Sequence, residues 1–179
     1  MARAVIGFAL FETAIGWCGI AWGPGGITGV QLPEGSAPAT RARLLRRFPG
    51  AREARPPSDA QSAIDGIVAL LRGEPSTLDG VALDMEGVPE FNRRVYEVAR
   101  TIPWGATLSY GEIAKRLGDP GAARDVGQAL GRNPFAIVVP CHRVLAAGGK
   151  WGGFSARGGV ATKRRLLSIE AVQRPLLDD

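Results

Sequence analysis

Apolar residues open the chain in three short runs divided by turn formers. Val5–Leu10, Trp17–Trp22 and Ile27–Leu32 have the composition of strands, and Gly23-Pro24-Gly25-Gly26 breaks the last two. Residues 3–32 therefore predict a β-meander. The pattern then lengthens to a helical period. Ala39–Phe48 reads as a short basic helix. From Ser58 the apolar positions Ala60, Ala63, Ile64, Ile67, Val68 and Leu71 recur at helical spacing as far as Gly73. Ser58 and Gln61 stand where a capping box would put them. Val81–Leu83 is a candidate strand, and Glu86-Gly87-Val88-Pro89 reads as a linker.

Beyond the linker the period is helical again, with Phe91, Val95, Val98 and Ala99 on one face before Pro103 and Gly105 stop it. Two short helices with well-marked ends follow. Ser109 and Glu112 fit a capping box, Leu108 and Ile113 a hydrophobic staple, and Gly118 a stop. Asp119 can cap the second helix, with Pro120 at its first position. Ala122, Ala123, Val126, Ala129 and Leu130 face inward, and Gly131, Asn133 and Pro134 end it. So tight a helix pair predicts a helix-turn-helix. Its outer surface carries Arg124, Gly127, Gln128 and Gly131, small enough for close approach by a packed element or by DNA. Phe135–Val139 then reads as a buried strand leading into Pro140-Cys141-His142-Arg143-Val144. Residues 148–159 are too glycine-rich for a packed element and read as a loop carrying Trp151, Phe154 and Ser155. A last helix puts Lys163, Leu167 and Glu170 on one face. Spacing alone makes Glu170 a surface charge; the alternative is a partner for His142.

Composition narrows the class. The chain has 179 residues, 45% of them apolar, which allows one large domain or two small ones. Cys18 and Cys141 are too few and too far apart for a secreted disulfide framework, so a reducing cytoplasm is expected. With one histidine and two cysteines, no Cys/His metal site is expected. No targeting signal is evident, and no apolar stretch approaches the length of a membrane span. Residues 1–88 carry 8 basic and 9 acidic side chains, whereas residues 89–179 carry 14 and 8. The excess positive charge thus lies in the half that holds Cys141, as a polyanionic partner such as nucleic acid would favour.

A thiolate, not a thiol, is the nucleophile, so a histidine beside Cys141 is a candidate base. Adjacent residues on a strand face opposite ways, so His142 reaches the thiol only if the chain turns there. Cys18, within a strand, reads as a small core residue.

Pro140-Cys141-His142-Arg143-Val144, preceded by Ala122-Ala123-Arg124 and Asn133-Pro134, resembles the O6-alkylguanine-DNA alkyltransferase family, the methylated-DNA–protein-cysteine methyltransferases. The resemblance runs from Phe91 to Glu170 and includes Ser109-Tyr110, Gly153-Phe154-Ser155, Gly158-Gly159, and Lys163 with Leu166-Leu167. It implies an α+β fold of two domains. Residues 1–85 would form a β-sheet and helix domain of RNase H-like type. After a linker at 86–90, residues 91–179 would form a mainly helical, winged-helix-like domain carrying the active-site cysteine.

The resemblance also implies DNA repair by direct, stoichiometric alkyl transfer from O6-alkylguanine, with O4-alkylthymine a further substrate. Cys141 would be the acceptor, His142 the base through a water, Glu170 its orienter and Tyr110 a proton donor to guanine N3. Ser155 would bind O6, and the Cys141 and Val144 carbonyls the exocyclic amine. Phe154 would wall the pocket, Lys163 hold its geometry, and Asn133 act as a hinge. Ala122, Ala123, Gly127 and Leu130 would lie against the DNA minor groove while Arg124 fills the space of the flipped nucleotide. No cofactor or metal is implied, and the protein would act as a cytoplasmic monomer on alkylated double-stranded DNA. Asp125, Ala136 and Arg157 depart from the family pattern. The competing readings are a non-catalytic alkyltransferase-like lesion sensor, a helix-turn-helix regulator and a small thiol hydrolase. A sensor would lack the acceptor that Cys141 supplies.

Overall fold

A computed structural model describes residue 5 and residues 7–171 of the chain. Residues 3, 4 and 6 of the expected meander and 172–179 of the expected second domain lie outside the described residues. Packing divides the chain into two compact units. The first runs to Val88 and also takes in Pro134–Val138; the second comprises Pro89–Asn133 and the chain from Val139. The second domain was expected to run unbroken, and this insertion interrupts it.

In the first unit the meander forms as β1 (Gly7–Thr13), β2 (Gly16–Gly23) and β3 (Gly26–Gln31), antiparallel neighbours in sequence order. A short β4 (Arg52–Glu53) adds parallel to β1, giving the order β3-β2-β1-β4. Helix α1 (Ala37–Arg47) packs on β2, with Leu44 and the following Phe48 meeting Phe8, Ala21 and Ala51 in the core. Helix α2 (Ser58–Leu71) buries Ala60, Ala63, Ile64, Ile67, Leu70 and Leu71. Ser58 is its first helical residue and makes no side-chain cap, because Pro57 holds the capping position; Gln61 instead donates to Asp65. The expected capping box is therefore absent.

All six residues of β3 are buried although the strand ends the sheet order. Two single-residue parallel bridges cover its open edge: Ile27 with Leu83, and Val30 with Phe135. Ile27 N–H donates to Ala82 O and Val30 N–H to Pro134 O, both at 2.9 Å. Unpaired edge groups are thereby satisfied without another strand. Val81–Leu83 is accordingly a bridge and not a strand. Phe135–Val139 is likewise buried, apart from half-buried Ala136, but irregular. Ile137 sits at φ 74, and the flanking Pro134 and Pro140 have no N–H to give a ladder.

The second unit begins with α3 (Glu90–Ala99), where buried Tyr96 donates its hydroxyl to Ala129 O at 2.7 Å. The expected face had omitted Tyr96. Strand β5 (Leu108–Ser109) leads into α4 (Tyr110–Arg116) through the anticipated Ser109/Glu112 capping box. A 3₁₀ turn, Pro120–Ala122, precedes α5 (Ala123–Gly131). Asp119 stands before that turn but its side chain caps nothing, since its backbone (φ −133, ψ 81) is not that of an ordinary cap. Helices α4 and α5 pack together as the helix pair. β6 (Val144–Leu145) pairs parallel with β5, and α6 (Val160–Ile169) closes the unit.

Candidate active site

Cys141 opens a second 3₁₀ turn, Cys141–Arg143, whose N–H groups bond back to Val139 O and Pro140 O. This turn, not a strand end, separates the neighbouring side chains. Cys141 lines a cavity of about 480 Å³, while His142 is fully buried behind it. Arg124, Gln128 and Leu130 of α5 form one wall of the cavity; Phe154 and Ser155 of the glycine-rich loop, with Tyr110, form the other.

His142 Nε2 lies 2.8 Å from Glu170 Oε1. The C-cap position after α6 carries Glu170 into the interior at 1% exposure, so the surface placement that spacing favoured is wrong. Arg143 supplies the reason. Its Nε and Nη2 donate to the same carboxylate at 2.8 Å each, and its Nη1 donates to Ile102 O at 2.7 Å. A buried carboxylate needs such a partner. Arg143 was missed in the sequence, although a glutamate on the Lys163/Leu167 face signals that a cation must meet it.

The electrostatics follow from these contacts. Burial alone would raise the Glu170 pKa, but hydrogen bonds from His142 and Arg143 outweigh it and hold the carboxyl at about 2. Burial pushes the His142 pKa down, against the pull of Glu170. At neutral pH a neutral imidazole therefore faces a carboxylate, and Nε2 must carry the proton. Its Nδ1, with the free lone pair, is buried without a protein partner among the described residues. Burial pushes the Cys141 thiol up, while hydrogen bonding from Asn133 and the Lys163 charge pull it back only partly. The resting group is a thiol that needs a base.

The supporting residues brace this arrangement. Lys163, fully buried, donates to Val144 O at 2.6 Å and Gly153 O at 3.3 Å, with its ammonium 5.8 Å from the Tyr110 ring centroid. Burial, then the nearby Cys141, raises the Tyr110 pKa, so its hydroxyl keeps its proton. Gly152, at φ +72, passes so close to that hydroxyl that a Cβ would stand 2.5 Å away. Asn133 Nδ2 donates to Val139 O at 2.9 Å, closing the loop before Cys141. The Cys141 carbonyl takes the Val144 N–H, and the Val144 carbonyl takes Lys163; each keeps a second lone pair.

Not every expected contact residue reaches the cavity. Gly127 and Leu130 line it, and exposed Ser155 lies at its edge. Ala122 is 3% exposed within the 3₁₀ turn, with its side chain packed inward. Ala123 is half-buried beside Arg124. Asp125 is exposed and makes no ion pair among the described residues. Cys18 is buried with its thiol pushed up to about 12, as an inert core residue would be. The described residues contain no group of three or more potential metal ligands, and no helix long and apolar enough to cross a membrane.

Fold and site together set a cysteine, backed by the buried His142–Glu170 pair, beside a helix-turn-helix. The family model described as 6-O-methylguanine DNA methyltransferase, DNA binding domain, matches residues 90–172. A methylated-DNA–protein-cysteine methyltransferase of Mycobacterium tuberculosis is 48% identical over 119 residues, 66% of this chain and 70% of that one. The protein of that name from Methanothermobacter thermautotrophicus is 38% identical over 154 residues, 86% and 79% of the two chains. The crystal structure of Mycobacterium tuberculosis OGT in complex with DNA matches at TM-score 0.73 and 39% identity, over 91% of each chain. The chain belongs to the methylated-DNA–protein-cysteine methyltransferase family.

Proposed function

We propose that this protein repairs DNA by moving the alkyl group of O6-alkylguanine onto Cys141, and that each molecule acts once. The observation that carries this reading is the Cys141–His142–Glu170 arrangement at the base of a cavity walled by the helix bearing Arg124.

A water between the thiol and His142 Nδ1 carries the Cys141 proton to the imidazole, and Glu170 stabilises the resulting cation. The thiolate attacks the alkyl carbon in line with the O6–carbon bond. A sulfur–carbon bond forms, the carbon–O6 bond breaks, and its electron pair moves into the guanine ring. Tyr110 gives a proton to guanine N3 and regains one from the imidazolium through solvent, so the thiol proton ends on the released guanine; Ser155 hydrogen-bonds at O6. No cofactor takes part, because the thioether is the end product. Phe154 contacts the base, Lys163 fixes the loop, and Asn133 hinges α5 to the segment before Cys141.

The target base must leave the stack, at a cost of about a few kcal/mol. Arg124, exposed near the start of α5, fills its place, while Gly127 and Gly131 let the helix enter the minor groove. O4-alkylthymine fits the same chemistry. We further propose that the protein works as a cytoplasmic monomer without a metal, consistent with two free cysteines. DNA binding and transfer belong to the second unit, Pro89–Asn133 with the chain from Val139.

The test is a duplex containing O6-methylguanine, assayed for restored guanine with the unaltered protein and with Cys141→Ser. Repair by the former and tight binding without repair by the latter are expected. Tight binding without repair by both would favour a lesion sensor.

A further inference from the structure

Arg47, the last residue of α1, lies outside the cavity and outside the Cys141–Glu170 arrangement. Its Nη1 donates to Val30 O and Gln31 Oε1, and its Nη2 to Pro134 O, each at 3.0 Å. The guanidinium also sits 5.1 Å from the Phe48 ring centroid. Gly29 leaves it room: a Cβ there would stand 2.8 Å from Nη2. The Pro134 carbonyl already receives the Val30 N–H, which is enough to satisfy it. Arg47 adds a charged donor, and a hydrogen bond from a charged donor is stronger than one from a neutral amide.

What that carbonyl controls makes the second bond significant. Pro134 directly follows Asn133, whose side chain binds Val139 O and hydrogen-bonds toward the Cys141 thiol. Between them Ile137, a β-branched residue, is held at φ 74. Such a residue in the left-handed region is an outlier that persists only where its surroundings over-determine it. The loop is fixed by Asn133 at its base and by Arg47 and Val30 where it starts.

We propose that Arg47 is a positioning residue for alkyl transfer: by fixing the Pro134 carbonyl it holds the Asn133–Val139 loop in the strained form that presents Asn133 to Cys141. The proposal rests on the reading of Cys141 as the acceptor.

Arg47→Ala and Arg47→Lys are compared with a substitution on the same helix, Arg41→Ala, which loses only an exposed ion pair with Glu53 of β4. Three quantities are measured on folded protein: the pH–rate profile of Cys141 with iodoacetamide, methyl transfer from DNA, and affinity for unmodified DNA. The thiol titrates among Lys163, Tyr110, Tyr96 and His142, which these substitutions leave in place, so a shift reports on Asn133. Arg47→Ala should move the profile to higher pH and slow transfer roughly 10- to 100-fold, the scale of a small misplacement at a reacting centre. Affinity for unmodified DNA should stay the same. Arg47→Lys should recover part of both losses, and Arg41→Ala should match the unaltered protein. If Arg47→Ala does not fold, Arg47→Lys should still show a smaller shift in the same direction. An unshifted profile, or slowing that the unfolded fraction accounts for, overturns the proposal. If the unaltered protein takes no methyl, the acceptor reading fails instead, while the iodoacetamide profile still tests Arg47.

Discussion

Three donors converge on the Glu170 carboxylate: His142 Nε2 and the Nε and Nη2 of Arg143. The carboxylate gives the Arg143 charge its partner and gives His142 the tautomer that leaves Nδ1 free. Removing the charge while keeping the shape separates these effects. Glu170→Gln leaves Arg143 buried without its counter-charge and should cost about 3–5 kcal/mol of stability at neutral pH. The sign of the pH dependence follows from the depressed pKa. The folded value is about 2 against an ordinary 4.5, so the stabilisation is complete above about 4.5 and is lost as pH falls toward 2. Urea denaturation of the two proteins across that range should show the gap closing as acid is added. A gap that is unchanged at low pH would mean that packing, and not charge, holds Glu170.

At the scale of elements, α4 and α5 do different work. α4 is set by its cap: Glu112 N–H donates to Ser109 Oγ at 3.0 Å. Ser109→Ala should therefore lower stability by about 0.5–2 kcal/mol, measured by thermal denaturation, with Cys141 chemistry retained. α5 presents Arg124 at the cavity. Arg124→Ala should slow repair of duplex lesions roughly 10- to 100-fold, since it removes compensation for an unstacking cost of a few kcal/mol. Transfer from the free alkylated base should hardly change; equal losses on both substrates would make Arg124 structural. α4 was legible in the sequence because its cap and stop are local signals; α5 was legible from its apolar spacing and its stop, although the expected Asp119 cap does not form. The meander was likewise legible from local signals, its glycine and proline turns. The segment before Cys141 was not, because a short buried apolar run looks the same whether straight or folded back. Neither the left-handed Ile137 nor the grip of Arg47 on Pro134, 87 residues away in sequence, has a local signature. Glu170 was misplaced for a related reason: helical spacing assigns a face, but only the distant Arg143 explains a buried charge there.

Over the whole molecule, charge is divided as sharply as packing. Residues 89–179 carry 14 basic and 8 acidic side chains, against 8 and 9 in residues 1–88. Binding to undamaged duplex should weaken with salt, log affinity falling linearly with log salt concentration, while transfer from the free base stays nearly constant. Fluorescence anisotropy over a salt series checks this, and a flat response would remove the phosphate backbone from the interface. The central claim is that Cys141 keeps what it removes. The most direct measurement is the mass of the protein after incubation with excess DNA carrying O6-methylguanine, with the modified peptide sequenced. One added methyl per molecule, on Cys141 and never exceeded however much lesion is supplied, is the predicted result. Repaired DNA beside a protein of unchanged mass would contradict it.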